Sequence, residues 1–326
     1  MINYPRVLYN KWGDNPLVRF VDGIISFHWR NKIFKGSQVE PVIYVDHSIE
    51  LGQSTHPDLI FDEKNNRYLM TVSNYPYGIE RLEDSYVLVS DDGIRFRNTK
   101  KGAIERYGGS GRSHFSDGDM VYDGERYSLF YRYCERDQVD AKDIISISTS
   151  VDGLSWSEGK EIIVAPKDQL VSPAFIYDNG QYKMYYVALT ENGSVLYRCN
   201  SVSKEFQNYQ SESEMLTVEN VPEGMMLWHI NISTDGDLLH GLFTFSTGFG
   251  GANARLYYAT SLKDSNVWTV KREIEPKVDM KYIKKVYRSS LVKVMDCWYL
   301  YLAFCLKNDC WYIGRREFNE MKSLSE

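Results

Sequence analysis

One pattern is written five times in this chain, and it limits the possible folds more than any other feature. His56-Pro57-Asp58-Leu59-Ile60-Phe61 leads through a polar turn at 62–66 into Arg67-Tyr68-Leu69-Met70, which reads as two antiparallel strands joined by a tight hairpin. Asp117-Gly118-Asp119-Met120-Val121-Tyr122 leads through Asp123-Gly124-Glu125 into 127–131. Ser172-Pro173-Ala174-Phe175-Ile176-Tyr177 leads through Asp178-Asn179-Gly180 into 182–187. His229-Ile230-Asn231-Ile232-Ser233 leads through Asp235-Gly236-Asp237 into 238–245, and Arg288-Ser289-Ser290-Leu291-Val292 leads through Met295-Asp296 into 298–304. The five starts are separated by 61, 55, 57 and 59 residues. Short strands at that period are expected to array radially. The expected fold class is therefore all-β, a five-bladed β-propeller with blades starting near 56, 117, 172, 229 and 288.

The repeats already run from 56 to about 318, so the 326 residues are read as a single domain, 1–326. A hydrophobic fraction of 43% suffices for a large core, and 25 Tyr suit pleated strands. The net charge of −6 is spread without a basic stripe, which argues against nucleic acid as a partner. Five cysteines (Cys134, Cys199, Cys297, Cys305, Cys310) are odd in number and lack a CxxC spacing. That argues against a disulfide framework or a structural zinc and fits a reducing compartment. Met1-Ile2-Asn3-Tyr4-Pro5-Arg6 has no apolar leader core, and no stretch approaches 18 apolar residues. The expectation is a cytoplasmic protein without membrane contact, although release by lysis or within a phage particle would leave no mark. The oligomeric state is open.

Residues 1–55 do not show the repeat. An Asp22-Gly23 turn between apolar runs predicts a hairpin over 18–29, and Pro41-Val42-Ile43-Tyr44-Val45 predicts a strand at 41–46. The last repeat supplies three clear strands, so the 41–46 strand is expected to close the last blade and hide the ring's open edge. Helical periodicity is expected only in a short tail after Phe318. An outer signature recurs as Ser90-Asp91-Asp92-Gly93 to Phe96, Ser150-Val151-Asp152-Gly153 to Trp156, and Ser261 to Trp268, with a worn copy at 200–206. A turn that tolerates positive φ explains it without any catalytic role.

In a propeller the innermost strand of each blade lines the axis. Alignment puts His56, Asp117, Ser172, His229 and Arg288 in one ring, and Asp58, Asp119, Ala174, Asn231 and Ser290 in a second, facing the same way by the period of two. Loops at the same mouth bring Asn74, Tyr75, Tyr77 and Glu83, then Arg132, Tyr133, Glu135 and Asp137, then Glu191 and Asn192, and the Gly-rich 246–253. The segment 107–114 reads as a rim loop, since the helix that a phosphate loop needs is missing. Polar residues at strand starts also cap blades and satisfy backbone groups, so each residue has a purely structural alternative. Arg288 offers a fork for a carboxylate or phosphate, which would make the ligand a uronic acid, a nonulosonic acid or a phosphorylated sugar; its alternative is an ion pair with Asp117 or Asp58. His56 and His229 suit acid–base work near neutral pH. They could also join Asp117 in a metal site, but no tight ligand spacing supports that, so no metal and no cofactor are assigned.

The blade lines His56-Pro57-Asp58, Ser116-Asp117-Gly118-Asp119, Val171-Ser172-Pro173, Leu227-Trp228-His229 and Tyr287-Arg288-Ser289-Ser290, with Trp311-Tyr312-Ile313-Gly314 at the end, resemble five-bladed propeller glycosidases. The likeness is above all to glycoside hydrolase family 43 and its relatives, including a poorly characterised bacterial and phage subgroup. That resemblance implies an Asp general base opening the first inner strand, a second Asp that tunes pKa, and a Glu general acid near the start of the third. Asp117 matches the second; His56 stands in place of the first, and Val171-Ser172 has no carboxylate for the third. The expected function is a glycan-active enzyme, foremost a glycoside hydrolase of an acidic or unusual-sugar substrate. Asp117 or Asp58 would be its base and Glu83 its acid, with His56 also among the catalytic candidates. His229, Arg288, Asp119, Tyr75, Arg132, Trp228 and Asn231 are the substrate-binding candidates. The alternatives are a lyase acting by β-elimination, with His56, His229 or Tyr75 as base, and a non-catalytic carbohydrate-binding propeller.

Overall fold

The computed structural model describes residues 4–13, 15–45, 53–99, 111–201 and 203–319. The predicted hairpin over 18–29 is a helix. α1 (Tyr4–Trp12) is followed by α2 (Pro16–Phe34), whose first turn is capped by Asn15 Oδ1 accepting from Leu17 N and Val18 N, with Pro16 at the first helical position. The buried residues Val18, Asp22 and Ile33 recur at helical, not strand, spacing. Asp22-Gly23 is no turn, because the Asp22 carboxylate points inward and accepts from the Tyr77 hydroxyl and from Gln53 Nε2. A tertiary partner overrode the local turn signal. The predicted helical tail falls mostly at 320–326, outside the described residues.

Next come β1 (Glu40–Pro41) and β2 (Ile43–Tyr44). The first antiparallel group is β3 (Ser54–Asp62), β4 (Arg67–Asn74), β5 (Asp84–Ser90) and β6 (Arg95–Asn98). The second is β7 (His114–Tyr122), β8 (Tyr127–Glu135), β9 (Lys142–Ser150) and β10 (Lys160–Pro166). The third is β11 (Val171–Asp178), β12 (Gln181–Thr190), β13 (Gly193–Ser201) and β14 (Ser213–Glu219). The fourth is β15 (Met226–Asp235), β16 (Leu238–Ser246), β17 (Arg255–Leu262) and β18 (Val267–Glu273), and the last is β19 (Ile283–Val286), β20 (Ser290–Val294), β21 (Cys297–Leu306) and β22 (Trp311–Glu317). The fold is a β-propeller.

The closure uses the N-terminal strand. β1 pairs antiparallel with β22, Glu40 opposite Arg315, and β2 continues parallel to β6, Ile43 opposite Arg95. One short segment thus ties the last group to the first and covers two edges. β14 and β18 likewise pair in parallel and join the third and fourth groups. Between groups the core is aromatic: Phe130 and Phe175 stack at 3.9 Å, and fully buried Trp268 packs on Phe243 and Tyr185. The outer signature is the expected turn, with Gly93 at φ +71° and Asp92 Oδ1 accepting from Ile94 N and Arg95 N. All five cysteines are unpaired.

Candidate active site

The inner strands do not run straight to the axis. β3, β7, β11 and β15 each carry a register shift at the start, between Thr55 and Asp58, Ser116 and Asp119, Val171 and Ala174, and Leu227 and His229. In the first three, the extra residue has left-handed backbone: His56 at φ +49°, Asp117 at +52°, Ser172 at +49°. None is a glycine, so each holds local strain of the kind that clusters at functional sites. The residue that follows is Pro57, Gly118 or Pro173. A proline needs no ladder partner, and a side chain at Gly118 would meet Thr71 Oγ1 at 2.3 Å. The bulge breaks the period of two, so the expectation that both rings face one way does not hold.

The first ring converges on a small volume. Asp117 Oδ1 stands 3.5 Å from His56 Nδ1 and 3.6 Å from His229 Nδ1, and the three side chains offer ligand atoms within 4.8 Å of one another. Glu83 Oε1 is 3.4 Å from His56 Nδ1 and accepts from Ser116 Oγ at 2.5 Å. His56 Nδ1 therefore has four oxygens around it, those of Glu83, Asp117, Ser73 (3.3 Å) and Ser116 (3.4 Å), every one beyond good hydrogen-bond length. His56 Nε2, both nitrogens of His229 and Asp117 Oδ1 are buried without a hydrogen-bond partner. Each such atom costs about 1–3 kcal/mol.

Charge sets the protonation states. Burial alone would raise the Asp117 carboxyl, but Arg132, whose Nη2 lies 2.6 Å from Oδ2, outweighs it; with His56, His229 and Arg288 it holds the group far below the carboxylate range. Burial pushes the His229 imidazole well below the histidine range; Asp117 opposes, while His56, Arg288 and Arg132 add to the depression. Near neutral pH the centre is a carboxylate facing a neutral imidazole, the form that ligates metals.

An aromatic wall stands over the cluster. The Tyr287 ring lies 5.3 Å from His56 and 4.6 Å from His229, and its hydroxyl accepts from Trp228 Nε1 at 2.7 Å. Trp311 packs on Tyr287 at 5.3 Å and Tyr75 on Trp311 at 5.7 Å. Trp228 and Tyr75 are half-buried, so the wall runs from the cluster to the surface. Gly251, on the Gly-rich loop, lies against Tyr287 and Trp228, where a Cβ would come within 2.6 Å. Tyr287 and Trp311 escaped the sequence reading. An available signal was the aromatic residue just before the leading polar one in the last two repeats, Trp228-His229 and Tyr287-Arg288.

The other candidates are placed elsewhere. Arg288 is fully buried and its guanidinium donates to Ile230 O, Gly118 O, Pro173 O and Asp119 Oδ2, the last at 2.9 Å. Its Nη1 also stands 3.7 Å from Asp117 Oδ1, the ion pair that is the alternative to ligand binding, so it is a strut between inner strands that borders the cluster. Asp58 accepts from Met120 N, Asn231 Nδ2 and Ser290 Oγ, and Asp119 also accepts from Phe175 N. Each of these carboxylates thus reaches from its own blade to a backbone N–H of the next. Burial pushes both up: Arg288 opposes this in Asp58, while in Asp119 the Asp58 charge adds and Arg288 opposes. Asp58, Asp119, Asn231 and Arg288 are therefore joints of the ring and are not brought to the mouth. Ser172 Oγ bonds Ile230 N and O across two blades. Tyr77 is buried against Asp22, Asp137 accepts from Arg112 N and Ser113 N, and Glu191 and Asn192 are exposed at a turn. Of the rim loop at 107–114, residues 107–110 lie outside the described residues.

No family model matches the chain, and no curated protein matches it. Solved structures do. An N-acetylgalactosamine deacetylase from F. plautii, in complex with blood group B trisaccharide, superimposes with a TM-score of 0.67 at 16% identity, over 90% of this chain and 97% of that one. A GH43_1 enzyme from Xanthomonas citri gives 0.61 at 11% identity over 86% and 91%. An exo-1,5-alpha-L-arabinanase from a bovine ruminal metagenomic library gives 0.57 at 12% over 82% and 93%. The fold is that of the propeller glycosidases. The low identities make this chain a divergent example of that fold. Among the described residues no helix is long and apolar enough to cross a membrane.

Proposed function

We propose that this protein is a glycan-active hydrolase working at the axial cluster of His56, Asp117, His229 and Glu83. The observation that carries the reading is the set of unpaired buried polar atoms beneath an aromatic wall. Aromatic faces stack on sugars, and strained, unsatisfied polar groups mark sites. Structural neighbours support the substrate class: one is bound to a trisaccharide and another, from Xanthomonas citri, was solved with xylotriose. Cleavage of a glycosidic bond by Asp117 and Glu83 fits poorly. Two such carboxyl groups must flank the bond, and here both lie within 3.5 Å of the same nitrogen of His56. β-Elimination needed Arg288 to neutralise a substrate carboxylate, and Arg288 is enclosed, so the case for an anionic sugar built on it falls too.

The test is a panel of neutral, acidic and acetylated oligosaccharides, read for new reducing ends, released carboxylic acid and near-ultraviolet absorbance. A reducing end or an acid is expected. Retention of sugars with no product of any kind would make the chain a binding module.

A further inference from the structure

We propose that His56, Asp117 and His229 hold a divalent cation, and that this centre removes acyl groups from sugars. The inference rests on the glycan-hydrolase reading for its substrate, but the cation centre stands on geometry of its own. The Nδ1 atoms of the two rings face one carboxylate oxygen, Asp117 Oδ1, at 3.5 and 3.6 Å. Ligands about 2.0–2.1 Å from a tetrahedral zinc lie about 3.4 Å apart. Each nitrogen is thus about as far from the oxygen as two ligands of one ion and beyond good hydrogen-bond length, and the three side chains offer ligand atoms within 4.8 Å of one another. Two imidazoles and one carboxylate make a three-ligand set that leaves a fourth position for water, the arrangement of hydrolytic zinc sites.

The surroundings agree. His229 is buried with both ring nitrogens unpaired, which would otherwise be a cost without return. Arg132, paired with Asp117 Oδ2, fixes the carboxylate so that Oδ1 faces the rings. The strained backbone of His56 and Asp117 aims these two side chains at one point from two blades. Linear spacing could not show this set, because the ligands come from β3, β7 and β15.

A cation there lowers the pKa of a bound water toward about 7 and polarises a carbonyl. Glu83, held by Ser116 beside His56, is placed to take the proton. Water adds to the acyl carbonyl carbon, and the bond from that carbon to the sugar nitrogen or oxygen breaks. Glu83 passes the proton to the departing amine or alcohol. The products are a carboxylic acid and a free amino or hydroxyl group, with no change of oxidation state. A carbonyl carbon, unlike an anomeric one, needs no second carboxylate on the opposite face. That matches a site with no carboxylate at Ser172.

The experiment is cobalt(II) titration of the whole chain, followed by visible absorption. One equivalent with the bands of a four-coordinate site is expected. His56→Ala, and the volume-keeping His229→Leu, should each weaken binding by more than about 100-fold, beyond the loss typical of an outer partner, with melting checked by circular dichroism. Absence of stoichiometric binding, or folded variants that bind as well as the parent, would overturn the centre. The loaded protein is then given acetylated chito-oligosaccharides and acetylated xylan. Acetate without new reducing ends is expected, and Glu83→Gln should keep cobalt yet release acetate at least about 100-fold more slowly. New reducing ends in place of acetate would overturn the acyl assignment. Bound cobalt with no product from any glycan would sink the hydrolase reading and leave the centre standing.

Discussion

Two rings of polar side chains lie two residues apart on the same inner strands, and their members differ in one respect. In the inner-facing ring, His56, Asp117 and His229 have nitrogen and oxygen atoms with no partner. In the ring two residues on, both Asp58 oxygens and both Asp119 oxygens are bonded, although Asn231 Oδ1 has no partner; and within the first ring Ser172 and Arg288 are bonded, Arg288 to three backbone carbonyls and a carboxylate. Residue type does not separate the bonded groups from the unbonded ones, since both sets include a buried Asp. Buried polar groups such as Asp58, Asp119, Ser172 and Arg288, which are bonded, join blades, whereas the cluster of His56, Asp117 and His229 waits for something that is not protein.

The contrast can be broken experimentally. The largest effect is expected for Arg288→Met, which leaves Asp119 buried without its cation: about 3–5 kcal/mol lost, read as a shift in the urea midpoint. A change under 1 kcal/mol would deny the joining role. Next is Asp22, a buried carboxylate away from the axis, whose pKa burial raises to about 6 against the bonds from Tyr77, Gln53 and Ser26. The folded state there binds its proton more tightly than the unfolded one. Stability should therefore fall by up to about 3 kcal/mol as pH rises from about 4 to 6 and level off above, and Asp22→Asn should flatten that slope. Gly118→Ala would press on Thr71 and is expected to cost about 1–3 kcal/mol. The smallest effect belongs to the unsatisfied cluster: His229→Leu should move the midpoint by less than about 1 kcal/mol, because an apolar group replaces an imidazole that has no bond to lose. A loss of several kcal/mol there would mean that His229 is a joint like Arg288.

Much of this was legible in the residues. The repeat marked the propeller fold, and aligning its copies put His56, Asp117 and His229, which the structure brings together, in one ring with Ser172 and Arg288. The closing strand near 41 was also readable from the missing edge of the last blade. Three things were not. Asp22-Gly23 imitates a turn, and only the contact with Tyr77 shows why the helix runs through it. Asp58 and Asp119 looked like groups at the mouth because alternation was carried through a bulge that Pro57 and Gly118 had signalled, and Arg288 because it leads the last repeat, whereas it is enclosed among the inner strands. The aligned repeats raise the metal-like set of His56, Asp117 and His229 but do not assign it, because its members come from three blades and show no tight linear spacing.

The central claim is that the unsaturated cluster encloses a ligand position. Its most direct test is a crystal of the whole chain grown with zinc and measured at the zinc absorption edge. One anomalous peak about 2 Å from His56 Nδ1, His229 Nδ1 and Asp117 Oδ1 is the expected result. An axis without a peak, with His56 and His229 turned to ordinary hydrogen-bond partners, would contradict it.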